Sequence, residues 1–156
     1  MICSDSSFDG NASGYGTQEL YGSSPSNRGC LIGNEHETSW YYVNVGTAGT
    51  LEMTITPDNF GTSSLDDYDW AIWGPYTSLT ANLNCPPTTD PIRCSHAGIP
   101  SNSTGTGNGI TGLGNGAIDN SEGQGGDGWI NFLNVLPGEV YILLIDGFLT
   151  GYSAKF

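Results

Sequence analysis

Asp66-Asp67-Tyr68-Asp69-Trp70-Ala71-Ile72-Trp73-Gly74 is the stretch on which the fold turns. Its second half is aromatic and β-branched and closes on glycine, the composition of a pleated strand. Its first half sets Asp66, Asp67 and Asp69 at the mouth of that strand. Like charges clustered there are destabilising unless something neutralises them. The only basic side chains are Arg28, Arg93 and Lys155, none of them nearby in sequence. A bound hard cation is the natural counter-charge, and an Asp-rich cluster in Gly-rich surroundings suits calcium.

Outward from this stretch the signals are all β. Trp40-Tyr41-Tyr42-Val43-Asn44-Val45 reads as a strand ending at Gly46. Thr50-Leu51-Glu52-Met53-Thr54-Ile55-Thr56 alternates apolar and polar residues and stops at Pro57. The link Gly46-Thr47-Ala48-Gly49 predicts that these two form a hairpin. Gly128–Val135 reads as a further strand; after the turn Pro137-Gly138 comes Glu139–Asp146, and Tyr152–Phe156 closes the chain. No window has sustained helical periodicity. The pattern predicts a single antiparallel β-sandwich over residues 30–156 with jelly-roll or CUB-like topology, preceded by an irregular segment, 1–29, of the same domain. Between its strands lies Ser95–Gly126, a long run of Gly, Ser, Thr and Asn that cannot form a core of its own.

The 156 residues suffice for one domain with a substantial core. The net charge is −13 although only 12% of residues are charged. That balance argues against nucleic acid, anionic membranes and heparin-like polymers, which are polyanions. It is compatible with cation binding, and equally with an acidic surface serving solubility. No apolar run is long enough to span a bilayer. The start Met1-Ile2-Cys3 lacks the features of a signal peptide. Met1 reads as an expression start, so the natural product is expected to be longer.

Four cysteines, Cys3, Cys30, Cys85 and Cys94, lack the spacing of a zinc ribbon or a redox CxxC. An even count in such a chain reads as two disulfides formed in an oxidising, extracellular compartment. Three pairings are open. Proximity favours Cys85–Cys94 around the Pro-rich loop 86–91, with Cys3–Cys30 stapling the first segment to the body.

Asp67 and Asp69 are two residues apart, so on an extended strand they share a face. Asp66 adjoins them. Glu122 and Asp127 end the long loop just before a strand, and would meet the Asp cluster if Gly128–Val135 returns beside Asp69–Gly74. Asp146 ends an apolar strand and joins as a second-tier ligand, as does Glu35. Calcium would take six to eight oxygens at about 2.4 Å from these carboxylates, backbone carbonyls and water. The other reading is solvated loop acids that cap turns. In Asn34-Glu35-His36-Glu37 the histidine suggests zinc or proton transfer, but His96 is the only other histidine. A surface turn before the Trp40 strand accounts for it more simply. No Gly-x-Ser-x-Gly elbow or other nucleophile signature is present, so no catalytic residue is assigned. Most aromatics fall at core positions of strands. Ala71 is small and Trp73 shares its face, which leaves Trp73, with Tyr76, as a ring exposed for stacking on a ligand such as a glycan.

Cys30-Leu31-Ile32-Gly33 through Trp40-Tyr41-Tyr42, Asp67-Tyr68-Asp69-Trp70-Ala71-Ile72-Trp73-Gly74-Pro75-Tyr76, Pro91-Ile92-Arg93-Cys94-Ser95 and Tyr141–Asp146 carry a resemblance. Together they look like a β-sandwich module of large secreted or surface adhesin-type proteins of Bacteroidetes, cargo of the type IX secretion route. The module is similar to CUB and pre-peptidase C-terminal domains. That resemblance implies a non-catalytic, calcium-stabilised binding or adhesion module, working beside other domains of the same chain on a surface ligand, glycan or protein. It also implies that Asp69, leading into the aromatic strand, helps to bind the calcium. The alternatives are a carbohydrate-binding accessory domain of a secreted hydrolase and a structural spacer or fibre subunit.

Overall fold

A computed structural model describes residues 8–14, 16–23, 26–33, 35–60, 66–77, 85–98, 109–148 and 154–156. Among these residues the protein is all-β, with no helix. The strands are β1 (Asn11–Ala12), β2 (Ser39–Asn44), β3 (Gly49–Leu51), β4 (Met53–Ile55), β5 (Tyr68–Tyr76), β6 (Arg93–Ser95), β7 (Thr111–Leu113), β8 (Ser121–Glu122), β9 (Trp129–Ile130), β10 (Leu133–Val135), β11 (Val140–Gly147) and β12 (Ala154–Lys155). Cys3, in the first segment, and residues 99–108 of the long loop lie outside the described residues.

The principal sheet has five strands in the order β2-β11-β5-β6-β8. Its second strand, β11, carries a continuous apolar run that is buried throughout. Such a run needs a partner on each edge for its backbone and a cover on each face for its side chains. Antiparallel β2 and β5 supply the edges, with Leu143 opposite Tyr41 and Ile72, and Leu144 opposite Trp40 and Ala71. Strand alternation then divides the side chains. One face carries Tyr141, Leu143, Ile145, Trp70 and Ile72, and packs on Ile55, Leu113, Ile130 and Leu133 from the short sheets β4-β7-β9 and β10-β3. The opposite face carries Ile142, Leu144, Ala71 and Trp73, and is covered by Leu20 and Leu31 of the N-terminal part.

The expected β2–β3 hairpin does not form. The strands pair instead with β11 and β10, so the glycine link 46–49 carries the chain from one sheet to the other. The single strand expected over 128–135 is two short ones. Residues 49–55 and 129–135 run side by side at β3–β10 and part where β7 enters between β4 and β9. Gly112 makes that entry feasible, because a Cβ there would lie 1.9 Å from the Met53 carbonyl oxygen. A buried chain of hydrogen bonds ties the layers: Trp70 Nε1 donates to Thr111 Oγ1 at 2.9 Å, and Thr111 Oγ1 donates to the Gly128 carbonyl at 2.7 Å. The described part of the long loop thus contains strands. Two of their pairings, β6–β8 and β7–β9, are parallel in an otherwise antiparallel molecule.

The disulfide joins Cys30 to Cys94, with Cα atoms 6.0 Å apart and a sequence separation of 64. This replaces both expected pairings. Cys94 sits inside β6 on the face that the N-terminal part crosses, and the Cys30 N–H reaches its sulfur at 3.0 Å. Cys85, nearer in sequence, is exposed with a free thiol.

Candidate functional site

Where β5 begins and β11 ends, the register sets Asp69 directly opposite Asp146. Both lie on the face covered by the N-terminal part, and both are buried, Asp69 at 4% relative exposure. Like charges facing each other across a strand pair repel. Burial, and then the charges of Asp67 and Asp146, push the Asp69 carboxyl up to about 8. The described residues give its carboxylate no hydrogen-bond donor. With Glu35, Gln18 and Arg28 the two aspartates line a small cleft.

Each flanking acid holds part of the cover in place. Asp146 Oδ1 accepts from the His36 N–H at 2.7 Å and from Thr38 Oγ1 at 2.6 Å. Asp146 Oδ2 faces His36 Nδ1 at 3.6 Å. Glu35 Oε2 accepts from the Glu19 N–H, from the Leu20 N–H at 2.8 Å and from Gln18 Nε2 at 3.2 Å. Burial pushes the Glu35 carboxyl up against the pull of those two backbone amides, and the charges of Glu19 and Asp146 raise it further. Asn27, buried, braces the same cover by donating to the Glu19 and Pro87 carbonyls.

Of the residues proposed as ligands, the structure therefore brings together Asp67, Asp69, Asp146 and Glu35. Asp66 is on the other face. Its carboxylate lies 3.5 Å from the Tyr68 hydroxyl, and Tyr68 packs into the opposite core. Glu122 and Asp127 form a separate loop. Glu122 accepts from the Asp127 N–H at 3.0 Å and the Gly128 N–H at 2.8 Å, and Asp127 accepts from the Trp129 N–H at 3.0 Å. They turn the chain into β9, which is the capping reading of these acids. They stand apart because β6 occupies the place beside β5 that Gly128–Val135 was expected to take. Among the described residues, no group of three or more His, Cys, Asp or Glu side chains is placed to hold a metal ion.

Trp73 is not an exposed platform. It is 1% exposed, packs on Trp40 with ring centroids 5.5 Å apart and donates Nε1 to the Thr89 carbonyl at 2.8 Å. The cover and the loop before β6 enclose the face that would have presented it. Tyr76 stays half-buried, its hydroxyl pushed up by burial and then by Cys85. Sequence reasoning missed Gln18 and Thr38 as neighbours of the acids and placed His36 in a surface turn. Nothing local marks the pairing, since His36 meets a residue 110 positions away.

The chain was compared with protein-family models, curated proteins and solved structures, and none of them matches. No described helix is long and apolar enough to cross a membrane.

Proposed function

We propose that this chain is a non-catalytic binding or adhesion module of a secreted or cell-surface protein, folded as a β-sandwich and stabilised by calcium in the cleft at Asp69. The observation that carries the ion is Asp69 itself, a buried carboxylate to which the described residues offer no hydrogen-bond donor, and which faces Asp146 and feels Asp67. Such a group is neutralised by a proton or by a cation. The donor set is all hard oxygen, which suits calcium over zinc. Asp69 and Asp146 would supply carboxylate oxygens, with backbone carbonyls and water completing the shell. The incomplete side-chain cage points to an ion of modest affinity, within the range of extracellular modules.

The non-catalytic part rests on how the acids are used, since Asp146 and Glu35 spend their hydrogen bonds holding the cover. A disulfide in the core agrees with an oxidising compartment outside the cell. The partner would be a surface glycan or protein, or another domain of the same chain. The test is calcium titration by calorimetry together with melting in calcium, magnesium and chelator. Calcium saturating at about 100 times its Kd should add ~2.7 kcal/mol of stability, and Asp69→Asn should abolish the gain. A melting curve that calcium and chelator leave unchanged sinks the calcium reading.

A further inference from the structure

The layer that covers the core face of the five-stranded sheet is open on one flank. Residues 49–55 form its outermost run there. On one side β3 and β4 pair with β10 and β7, and among the described residues no strand pairs on the other. Beyond that free edge the layer resumes as the β1–β12 ribbon. Phe156 holds the ribbon over the large sheet, its ring 5.5 Å from Tyr68 and 6.4 Å from Tyr41 between centroids. Between edge and ribbon runs a groove of about 1230 Å³. Its floor is Val43, Ile72, Leu143 and Ile145, from three strands of the large sheet. One wall is residues 49–58, and the other is residues 8–11 with Phe156.

The edge lacks the devices that normally keep an exposed strand single. Its one charged residue is Glu52, and no proline comes before Pro57. Alternation turns Leu51, Met53 and Ile55 inward. Leu51 and Met53 stay half-buried, as do Val45 and Phe156, so the walls keep apolar surface for further side chains. Thr50, Glu52 and Thr54 face outward and are exposed. The charged side chains among the described lining residues are Asp9, Glu52 and Asp58, all acidic. The groove exceeds the roughly 300–1,000 Å³ of a small-molecule site. A free row of backbone donors and acceptors along one wall suits an extended chain.

We propose that an extended segment of another protein adds to the free edge of residues 49–55. Its apolar side chains, at alternate positions, fill the groove, and lysine or arginine between them faces the acidic rim. A second copy of this chain does not fit. It has only Arg28, Arg93 and Lys155 to offer, and its net charge of −13 repels its like. Main-chain hydrogen bonds supply affinity, and the rim speeds encounter with a cationic strand. The proposal rests on the binding-module reading above, whose partner it names, and is independent of the cation at Asp69.

The test mixes the full chain with the acetylated peptide amide Lys-Val-Lys-Val-Lys-Val-Lys. One control replaces its lysines by glutamate, and the other keeps its composition but places the valines together. Calorimetry should show saturable binding of the alternating lysine peptide alone. Hydrogen exchange should show newly protected amides within residues 49–56. Glu52→Lys combined with Asp58→Lys, both at exposed positions, should weaken binding about tenfold at low salt, since each exposed pair is worth only a few-fold. No binding, equal binding by either control, an undiminished affinity in the double variant, or protection confined to other strands overturns the proposal. So does protection of those amides before peptide is added, because a segment of the chain would then already fill the groove. If the peptide fails while calcium still titrates at Asp69, strand addition falls and the calcium-stabilised module stands.

Discussion

Two acidic regions of the molecule look alike in sequence and behave oppositely. At the start of β5, Asp69 is buried against Asp146 and Asp67, and no donor among the described residues answers it. In the loop before β9, Glu122 and Asp127 each receive backbone N–H groups from the turn they shape. Burial raises the Glu122 carboxyl too, but the Asp127 and Gly128 amides pull it back, against the charge of Asp127, so this acid organises local structure. A carboxylate pressed against its own kind keeps a proton or attracts a cation. What separates a cap from a candidate ion site is thus the supply of donors, and the count of acids says little about it.

The largest effect should come from removing the acid that ties the cleft to its cover. Asp146→Ala leaves the His36 N–H and the Thr38 hydroxyl without their acceptor in a buried place. Losing charge-assisted hydrogen bonds there should cost about 2–4 kcal/mol in guanidinium unfolding. Glu122→Ala should cost only ~1 kcal/mol, because its amides reach solvent more readily, and should leave the calcium titration unchanged. Equal costs, or a calcium response abolished by Glu122→Ala, would merge the two regions into one.

The contrast sharpens with pH. The Asp69 carboxyl rises from 3.8 to about 8 on folding. Between those values the folded chain holds a proton that the unfolded chain has released. Raising the pH in chelator therefore favours unfolding, by up to ~1.4 kcal/mol per pH unit from this group. The stabilisation is complete below about pH 4 and gone above about pH 8. Melting in chelator from pH 5 to 8 should show the decline, and Asp69→Asn should flatten it. A wild-type curve parallel to the variant would remove Asp69 from its place as the strained member of the cluster.

Local patterns in the sequence were good guides to face and poor guides to neighbour. Period-two alternation puts Asp67 and Asp69 on one side, and the apolar run ending in Asp146 announces a central strand. Which strand lies beside β5 depends on contacts far apart in the chain. That is why β6 was missed and why Glu122 and Asp127 were drawn into the cluster. β7 was hidden for a related reason, since Thr111-Gly112-Leu113 earns its place through a backbone approach that only glycine permits. The Cys30–Cys94 bond shows the same limit, because nearness in sequence favoured Cys85 while the face of β6 selected Cys30.

The smallest expected effect tests alternation itself. Asp66 precedes Asp67 and belongs to the same run of acids, yet it sits with Tyr68 on the other face. Its side chain is half-buried, and its nearest described partner is the Tyr68 hydroxyl at 3.5 Å, the limit of a hydrogen bond. Asp66→Asn should therefore change stability by no more than about 0.5 kcal/mol and leave both the calcium titration and the pH profile as they are. If Asp66→Asn weakens calcium binding as strongly as Asp69→Asn does, the strand entrance bends enough to bring both faces to one ion. The face assignment that separates Asp66 from Asp67 and Asp69 would then be wrong at that point of the chain.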